Sequence, residues 1–317
     1  MQINENRRRI IGEIYDYIYE LVNISIQSQR KIIIWGFGRG GKWLRHLIQQ
    51  VDGRVKIDYI IDEKLRVSYD SEPAIFRSSL LEYIESSKYM ILTCIKNMNQ
   101  IEEMLLNYGY QKGINLFDIQ DDIGSSYFEF IQSKNNSINF DNVYKEKMEK
   151  DFGQEFHDNI TFSYSCVDNV FEEIIQLDDN LSLFDYGCGK GAVMLMAHMV
   201  GIKKIGGVEI SKSIYNQAVI NMAELGIDCY LVNQDATECK IDDFNCYFLY
   251  NPFGGNVFRK VIHNIQDSYK SNKRKIYLVY ANPFCHRTVI EDGLFKLHKQ
   301  IRTDLYDPLC NIYVIEN

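Results

Sequence analysis

The C-terminal half of the chain alternates short apolar runs with longer segments whose apolar residues recur at helical spacing. Short apolar runs bounded by turn residues are typical of buried strands, and their alternation with helices indicates a parallel sheet covered by helices. The predicted strands are 183–186, 205–208, 229–232, 246–250 and 276–280. The predicted helices are 167–177, 192–197, 212–225 and 257–269. Two alternating segments in the tail, 294–301 and 312–315, predict an antiparallel hairpin.

The N-terminal half begins with the same order of strand, glycine loop, helix, strand and acid. The loop is Gly36-Phe37-Gly38-Arg39-Gly40-Gly41, and the acid is Asp62 at the end of the second apolar run. The predicted elements here are the strands 31–35, 55–61, 89–94 and 114–117 and a helix near 101–106. This order is the setting in which a G-x-G-x-x-G loop binds a dinucleotide. It resembles the Rossmann-like nucleotide-binding domains of sugar-nucleotide enzymes.

This resemblance makes Gly36, Gly38, Gly41 and Asp62 candidates for a second nucleotide site, which NAD or a nucleotide-linked ligand would occupy. The unit has only about half the length of a full dinucleotide-binding fold. Its glycines could equally serve the close packing of helix on strand, so both interpretations stay open.

An amphipathic segment and a polar stretch define the expected domain organisation. Apolar residues of segment 8–24 form one helical stripe, which packs on its own domain or on a second subunit of a homo-oligomer. Residues 120–160 are rich in Ser, Asn, Asp and Lys and contain a short helical pattern at 140–152. The expected divisions are an N-terminal helix at 1–28, a Rossmann-like domain at 29–122, a linker at 123–160 and a second domain at 161–317.

Length, charge and cysteine content limit the kinds of binding partner and the cellular location that we expect. A length of 317 residues exceeds what single cores commonly reach, and the net charge of −8 argues against broad binding to nucleic-acid phosphates. The eight cysteines form no C-x-x-C pair, and no cluster of residues has zinc spacing. No apolar run is long enough for a membrane span, and acids interrupt the N-terminal segment that would form a signal peptide. The expected location is the cytoplasm, with reduced cysteines.

The strongest chemical motif is the loop Asp185-Tyr186-Gly187-Cys188-Gly189-Lys190-Gly191, followed by Glu209 at the end of the next apolar run. Glycines let the backbone approach a ligand where a Cβ atom would collide. An acid at the end of the second strand suits a ribose with two free hydroxyl groups. The combination indicates a nucleoside cofactor.

The segment Phe184–Gly191 resembles the first motif of class I S-adenosylmethionine-dependent methyltransferases, and three further landmarks follow in that family's order. The resemblance covers roughly residues 160–317 and implies an α/β fold with two Rossmann-like domains, the C-terminal one a class I methyltransferase sheet with a terminal antiparallel hairpin. It implies S-adenosyl-L-methionine as the cofactor. The implied contacts are Asp185 with the ammonium group, Glu209 with the ribose, and Asp235 and Ala236 with the adenine. The remaining implied cofactor residues are Gly187, Cys188, Gly189, Gly191 and Tyr164.

The sequence Asn251-Pro252-Phe253-Gly254 resembles the N/D-P-P-Y/F motif of enzymes that methylate amino or amide nitrogens, although the second proline is absent. The resemblance implies that Asn251 accepts the N–H groups of the substrate and that the Phe253 ring stacks on it. A strand-end turn shaped by Pro252 is the equal alternative. A second copy, Asn282-Pro283-Phe284, precedes His286, a candidate general base for which a surface position is the alternative.

The expected function is therefore methyl transfer to a nitrogen or oxygen of a small molecule or sugar nucleotide. Two other classes stay open: a regulatory protein that binds NAD or a nucleotide and carries a non-catalytic methyltransferase-like domain, and an N-methyltransferase acting on protein or nucleic acid. The cluster Lys273-Arg274-Lys275 could face an anionic substrate or lie at a solvated helix end.

Overall fold

A computed structural model describes residues 4–69, 73–95, 98–141, 164–302 and 309–316. The chain divides into two compact units, residues 1–134 and 135–317. Each unit is built on its own sheet of mostly parallel strands, with helices in most of the connections, so the expected α/β class is confirmed.

The first unit contains a five-stranded sheet in which all paired strands are parallel. Its strands are β1 (Lys31–Trp35), β2 (Ile57–Ile61), β3 (Ala74–Phe76), β4 (Tyr89–Thr93) and β5 (Leu116–Asp118). The order β3-β2-β1-β4-β5 places the strand that leads into the glycine loop at the centre. The short strand β3 had no counterpart among the predicted elements, because three residues are too few to show periodicity.

Five helices accompany this sheet: α1 (Glu5–Ser28), α2 (Arg39–Val51), α3 (Asn99–Asn107), α4 (Ile119–Ile123) and α5 (Tyr127–Lys134). The Asn4 side chain caps α1 by accepting the N–H of Arg7 at 2.9 Å. The predicted apolar stripe of α1 is fully buried, with Ile11, Ile14 and Ile18 at 0% exposure. Since α1 packs on α2 and α5, the stripe is covered within its own unit.

The second unit contains a seven-stranded sheet in the order β11-β12-β10-β9-β6-β7-β8. Its strands are β6 (Ser182–Tyr186), β7 (Lys204–Val208), β8 (Tyr230–Val232), β9 (Cys246–Tyr250), β10 (Ile276–Ala281), β11 (Lys296–Ile301) and β12 (Cys310–Ile315). The first five are parallel, and β12 pairs antiparallel with both β10 and β11. A parallel sheet with a terminal antiparallel hairpin is the arrangement expected of a class I methyltransferase sheet.

The helices of the second unit are α6 (Tyr164–Ile175), α7 (Ala192–Met199), α8 (Lys212–Glu224), α9 (Gly255–Ser271) and α10 (His286–Ile290). Gly226 follows the C-cap of α8 with a φ of +63°, where a glycine ends a helix without strain. One face of α9 is buried against β9 and β10 in a core rich in aromatic side chains, which includes Phe258, Tyr247 and Tyr280.

The expected linker at 123–160 falls partly within both units. Helix α5 belongs to the first unit, and residues 135–141 belong to the second. Most of the helical pattern at 140–152 lies outside the described residues. In the part of the chain that the structure describes, no helix is long and apolar enough to cross a membrane.

Candidate cofactor and acceptor sites

The predicted residues of the second unit meet at one edge of its sheet, where the parallel strands have their carboxyl ends. Asp185 lies on β6, the central one of the five parallel strands, between β7 and β9. Glu209 follows β7 and Asn251 follows β9 directly, while Asp235 lies just beyond β8. Ligands of open α/β sheets bind at this edge.

The loop after β6 turns sharply because its glycines have left-handed backbone conformations. The φ angles are +72° at Gly187, +55° at Gly189 and +86° at Gly191, values that residues with a Cβ atom rarely adopt. The N–H groups of Gly187 and Cys188 both donate to the carbonyl oxygen of Val208, at 3.0 and 2.9 Å. The loop is therefore tied to the neighbouring strand β7.

Protein neighbours add a second requirement for these glycines. A Cβ atom on Gly187 would lie 2.6 Å from the Cβ atom of Pro252, and one on Gly191 would lie 2.8 Å from the Cε atom of Met222. The sequence motif alone suggested space for a ligand, whereas the structure also shows tight packing against the protein. Cys188 is buried within this loop, and burial raises the pKa of its thiol well above the ordinary value.

Asp185 has a buried oxygen atom without a partner. The residue is only 2% exposed, and its Oδ2 atom has no hydrogen-bond partner in the described part of the chain. Burial, and secondly the negative charge of Glu209, raise the pKa of Asp185 well above its ordinary value. A buried carboxylate is costly unless a donor or a cation pairs with it. The site therefore suits a positively charged ligand group.

Glu209 is also buried, and it holds the glycine loop through its carboxylate. Its Oε2 atom accepts the N–H of Gly189 at 3.1 Å, and its Oε1 atom accepts the N–H of Ser211 at 2.8 Å. Burial raises the pKa of Glu209, and these backbone donors oppose the shift. The side chain is only 7% exposed, so Glu209 is not a solvated acid at the start of α8. Each oxygen has a second lone pair that can accept a further donor.

Asp235 caps a short 3-10 helix, Ala236–Glu238, by accepting the N–H of Thr237 through Oδ1 at 2.7 Å. This contact gives Asp235 a structural role in the turn. The side chain is half-buried and its second oxygen accepts no hydrogen bond from Thr237, so capping and binding are compatible. Ala236 is buried in the adjacent core, with 7% exposure.

These residues fit S-adenosylmethionine by charge and by chemistry. The unpaired oxygen of Asp185 matches the ammonium group of its amino-acid part, and the buried Glu209 carboxylate matches two ribose hydroxyls. Tyr164, the remaining predicted cofactor residue, is the first residue of α6, but its side chain lies outside the described part of the structure. No group of His, Cys, Asp and Glu that could hold a metal ion occurs among the described residues.

The two N-P-F copies occupy equivalent positions at the ends of adjacent strands. Tyr250 pairs with Ala281 in the β9–β10 register, and the next residues, Asn251 and Asn282, have φ angles of +43° and +53°. The buried hydroxyl group of Tyr280 donates to Oδ1 of Asn251 at 3.3 Å. Burial raises the pKa of Tyr280, so the phenol stays protonated and remains a donor. The Asn251 oxygen that was expected to face the substrate thus contacts the protein.

The expectation that Phe253 stacks on the substrate is corrected by its burial. Its side chain is 2% exposed and packs edge-on against Tyr186, with ring centroids 6.5 Å apart. The ring is part of the hydrophobic core of the second unit, where burial of its apolar area is stabilising. In the second copy the corresponding ring, Phe284, is 78% exposed.

His286 begins α10 and is half-buried against β12. Its Nδ1 atom lies 2.7 Å from the hydroxyl oxygen of Tyr313, and the two rings stack with centroids 5.7 Å apart. His286 is therefore held by a hydrogen bond to the hairpin, a contact that does not decide whether the residue takes part in chemistry. Cys285, its neighbour in sequence, donates its N–H to the Tyr280 hydroxyl at 3.3 Å. His286 therefore lies on the rim that also carries Asn251.

The segment 135–141 contacts the back of the glycine loop, a feature that sequence reasoning missed. Asn221 of α8 is fully buried and donates to the carbonyl oxygens of Asn139 and Lys190, each at 2.9 Å. The Asn139 N–H donates back to the Asn221 side chain at 2.9 Å, and the Lys190 ammonium contacts the Asn139 side chain. The available sequence signal was a polar residue, Asn221, at helical spacing from the apolar residues Ile214 and Ala218.

Comparison with solved structures finds methyltransferases of low sequence identity. The ribosomal protein L11 methylase of Lactobacillus delbrueckii subsp. bulgaricus is 14% identical, with 53% of this chain and 92% of that chain covered and a TM-score of 0.40. An RNA methyltransferase from Salinibacter ruber, solved with S-adenosyl-L-homocysteine, is 17% identical, with 47% and 92% covered and a TM-score of 0.35. A methyltransferase dependent on S-adenosylmethionine from Aquifex aeolicus is 13% identical, with 46% and 89% covered and a TM-score of 0.37.

These likenesses are too weak to add to the strand order and the site geometry. No protein-family model matches the sequence, and a search of curated proteins finds no match.

The glycine loop of the first unit is shaped chiefly by its own packing. A Cβ atom on Gly36 would lie 2.4 Å from Ile95 Cγ2, and one on Gly41 would lie 2.0 Å from the Gly36 carbonyl oxygen. A Cβ atom on Gly38 would meet nothing within 4 Å. The Asp62 carboxylate accepts the N–H of Phe37 at 2.8 Å and two further N–H groups of its own loop. Three of the four candidate residues thus have a structural role that requires no ligand.

The cluster Lys273–Lys275 lies at the opposite edge of the second sheet, because it precedes β10 whereas the candidate site follows the parallel strands. Arg274 donates to the Phe244 carbonyl oxygen at 2.8 and 3.0 Å. The Lys273 ammonium lies 3.9 Å from the ring centroid of Tyr269. The cluster therefore does not line the candidate site at the carboxyl edge of the sheet.

Proposed function

We propose that this protein is an S-adenosylmethionine-dependent methyltransferase whose cofactor lies against residues 187–191. The observation that carries the proposal is the buried, unpartnered Oδ2 atom of Asp185 at the carboxyl end of the central strand. The order of the seven strands and the antiparallel hairpin support it.

The charge of Asp185 explains why a cationic cofactor would bind here. A bound ammonium group supplies donors to the Oδ2 atom and offsets the charge repulsion between Asp185 and Glu209. A charge-assisted hydrogen bond in such a buried site contributes about 1.5–3 kcal/mol. A neutral or anionic ligand of similar shape would leave the negative charge of Asp185 uncompensated.

Glu209 would bind the ribose from a position that the protein has already fixed. Its two backbone donors hold the carboxylate in one orientation before any ligand arrives. This preorganisation reduces the entropy lost on binding. Asp235 and Ala236 follow the third parallel strand, where we assign the adenine, with the second Asp235 oxygen accepting its amino group.

When bound, S-adenosylmethionine would be held by Asp185, Glu209 and Asp235 and would supply an electrophilic methyl group for transfer to a nucleophilic nitrogen or oxygen. The nucleophile then loses a proton to solvent or to a nearby base. This chain would orient the acceptor at the rim formed by Asn251 and Asn282, where orientation supplies much of the rate. We propose a nitrogen or oxygen acceptor on a small molecule or sugar nucleotide, since the net charge of −8 disfavours a polyanion.

A nucleotide-linked ligand at the first unit is a second candidate, and one observation favours it. Gly38 opens onto free space at the N-terminal end of α2, although its neighbours are required by packing. NAD would occupy this position only if the loop accepts a pyrophosphate there. Calorimetric titration with NAD tests this candidate, and absence of heat would leave the loop a scaffold.

Methyl transfer can be tested while the acceptor is still unidentified. The protein is incubated with metabolite extracts and S-adenosylmethionine that carries a deuterated methyl group, and products are sought by mass spectrometry. We expect one product class in which a CD3 group replaces a hydrogen, and we expect the Asp185→Asn variant to form it much more slowly. Binding of the cofactor without any labelled product would contradict the enzymatic function and favour the regulatory alternative.

A further inference from the structure

A chain of hydrogen bonds in the hairpin ends on the Nδ1 atom of His286. The Gln300 amide donates to Oδ1 of Asn311 at 3.0 Å, and Asn311 in turn donates from Nδ2 to the Tyr313 hydroxyl oxygen at 2.8 Å. The Tyr313 oxygen lies 2.7 Å from His286 Nδ1. Asn311 and Tyr313 are buried, with 2% and 0% exposure.

The direction of this chain decides which ring nitrogen of His286 carries a proton. An amide nitrogen can only donate, so the Tyr313 oxygen accepts from Asn311. The buried phenol must then direct its own proton to an acceptor, and His286 Nδ1 is the one in contact. Burial raises the pKa of Tyr313 to about 12, so this proton stays on the phenol near neutral pH. Nδ1 accepts, and the neutral ring carries its proton on Nε2.

We propose that His286 serves as an N–H donor that binds an oxygen of the methyl acceptor, and that Tyr313 is the residue that positions it. The inference deepens the proposed function and rests on it for the identity of the acceptor site. It replaces the role of general base, because a base would need an unprotonated Nε2 atom. A ring whose Nδ1 atom already accepts from Tyr313 offers Nε2 as a donor instead.

The location of His286 makes this donor relevant to the acceptor. Cys285 contacts the Tyr280 hydroxyl at 3.3 Å, and that hydroxyl contacts Asn251 at the same distance, so the turns after β9 and β10 share one polar rim. Phe284 extends from this rim with 78% of its surface exposed. An exposed ring beside a fixed N–H donor favours a planar acceptor that carries a carbonyl or carboxylate oxygen.

The tautomer of His286 can be measured in the free protein, without cofactor or acceptor. Protein labelled with 15N at its six histidines is studied by long-range proton–nitrogen correlation at about pH 8, above the ordinary imidazole range. The His286 signals are assigned by their loss in His286→Ala. We expect a proton on Nε2 and a lone pair on Nδ1. A proton on Nδ1 would overturn the inference, because the ring would then donate to Tyr313 and leave Nε2 as a base.

Variants of Tyr313 and of a matched tyrosine test the positioning. Tyr313→Phe removes the donor to Nδ1, and we expect a mixture of tautomers at His286. Tyr277→Phe removes a buried hydroxyl from the far end of the adjacent strand, where it contacts the Leu177 carbonyl oxygen, and should leave His286 unchanged. An unaltered tautomer in Tyr313→Phe would contradict a positioning role.

Activity provides a second readout once a labelled product is found. In His286→Gln the side-chain amide keeps a donor near the position of Nε2, whereas His286→Ala removes it. We expect KM to rise at least tenfold in His286→Ala and to recover largely in His286→Gln. Equal loss of kcat in both variants would indicate a base and overturn the inference. If no product forms, the proposed function fails while the tautomer still reports on the network.

Discussion

Replacement of Asp185 by asparagine tests the one buried carboxyl group on which cofactor binding is proposed to depend. The substitution keeps the size of the side chain and removes its charge. Because burial and Glu209 raise the pKa of Asp185, the folded protein holds this proton to higher pH than the unfolded chain does. The contribution of Asp185 to the free energy of unfolding is therefore fully present below its unfolded pKa of about 3.9, and it is lost as the pH rises through the folded pKa.

The magnitude follows from that linkage. One proton bound by the folded state alone changes the free energy of unfolding by about 1.4 kcal/mol per pH unit. Relative to the Asp185→Asn variant, the free energy of unfolding of the wild-type protein should fall by up to about 1.4 kcal/mol per pH unit as the pH rises from about 4 towards the folded pKa. At neutral pH we expect the free variant to be at least as stable as the wild type.

The Asp185→Asn substitution should weaken the binding of the cofactor, although it does not lower the stability of the free protein at neutral pH. Loss of a charge-assisted hydrogen bond worth about 1.5–3 kcal/mol corresponds to roughly a 10- to 150-fold weaker affinity for S-adenosylmethionine. A bound cation favours the ionised carboxylate, so wild-type affinity should rise with pH over the same window, with proton release, and the affinity of the variant should not.

Urea unfolding at several pH values measures the first effect, and calorimetry in buffers of different ionisation enthalpy measures the second. If the free energies of unfolding of the two proteins changed in parallel with pH, the argument that burial raises the pKa of Asp185 would be refuted. Equal affinity of both proteins for S-adenosylmethionine would refute the role of Asp185 in binding.

Three further substitutions test the loop and its supports. Glu209→Ala removes an acceptor of two backbone N–H groups and should lower the free energy of unfolding by about 1–3 kcal/mol, as well as weakening cofactor binding; unchanged urea unfolding would contradict this. Gly187→Ala should lower the free energy of unfolding by about 2 kcal/mol or more, because Gly187 has a positive φ and an added Cβ atom would lie close to Pro252. Gly254→Ala should lower it far less, because nothing lies within 4 Å of the added atom. Equal losses in the two variants would count against the packing argument. Asn221→Ala should accelerate hydrogen exchange at the Asn139 amide at least tenfold, and unaltered exchange would show that this contact does not hold the segment.

The sequence sufficed for the longer strands and helices and for the edge of the sheet that carries the site. Asp185 and Glu209 follow from strand-end patterns, because apolar runs locate strands and parallel strands share a carboxyl edge. The direction of a side chain at a turn could not be predicted in this way. Phe253 and Phe284 have the same local sequence, but one is buried and the other exposed, since burial depends on the neighbouring elements.

Polar contacts between residues far apart in the sequence could not be predicted from local sequence patterns either. Asn221 and Asn139 are far apart in sequence, and only the fold brings their hydrogen bonds together. The His286–Tyr313 contact likewise depends on the antiparallel pairing of β12. Asp62 resembled a ribose ligand by its position, yet its oxygens accept backbone N–H groups, a use that spacing does not distinguish from ligand binding.

The most direct measurement of the central claim is calorimetric titration of the wild-type protein with S-adenosylmethionine, S-adenosylhomocysteine and NAD. We predict saturable binding of the first two at one site per chain, with competition between them. Binding of NAD alone, or no heat with S-adenosylmethionine at saturating concentrations, would contradict the assignment of the loop at residues 187–191 as a methyl-donor site.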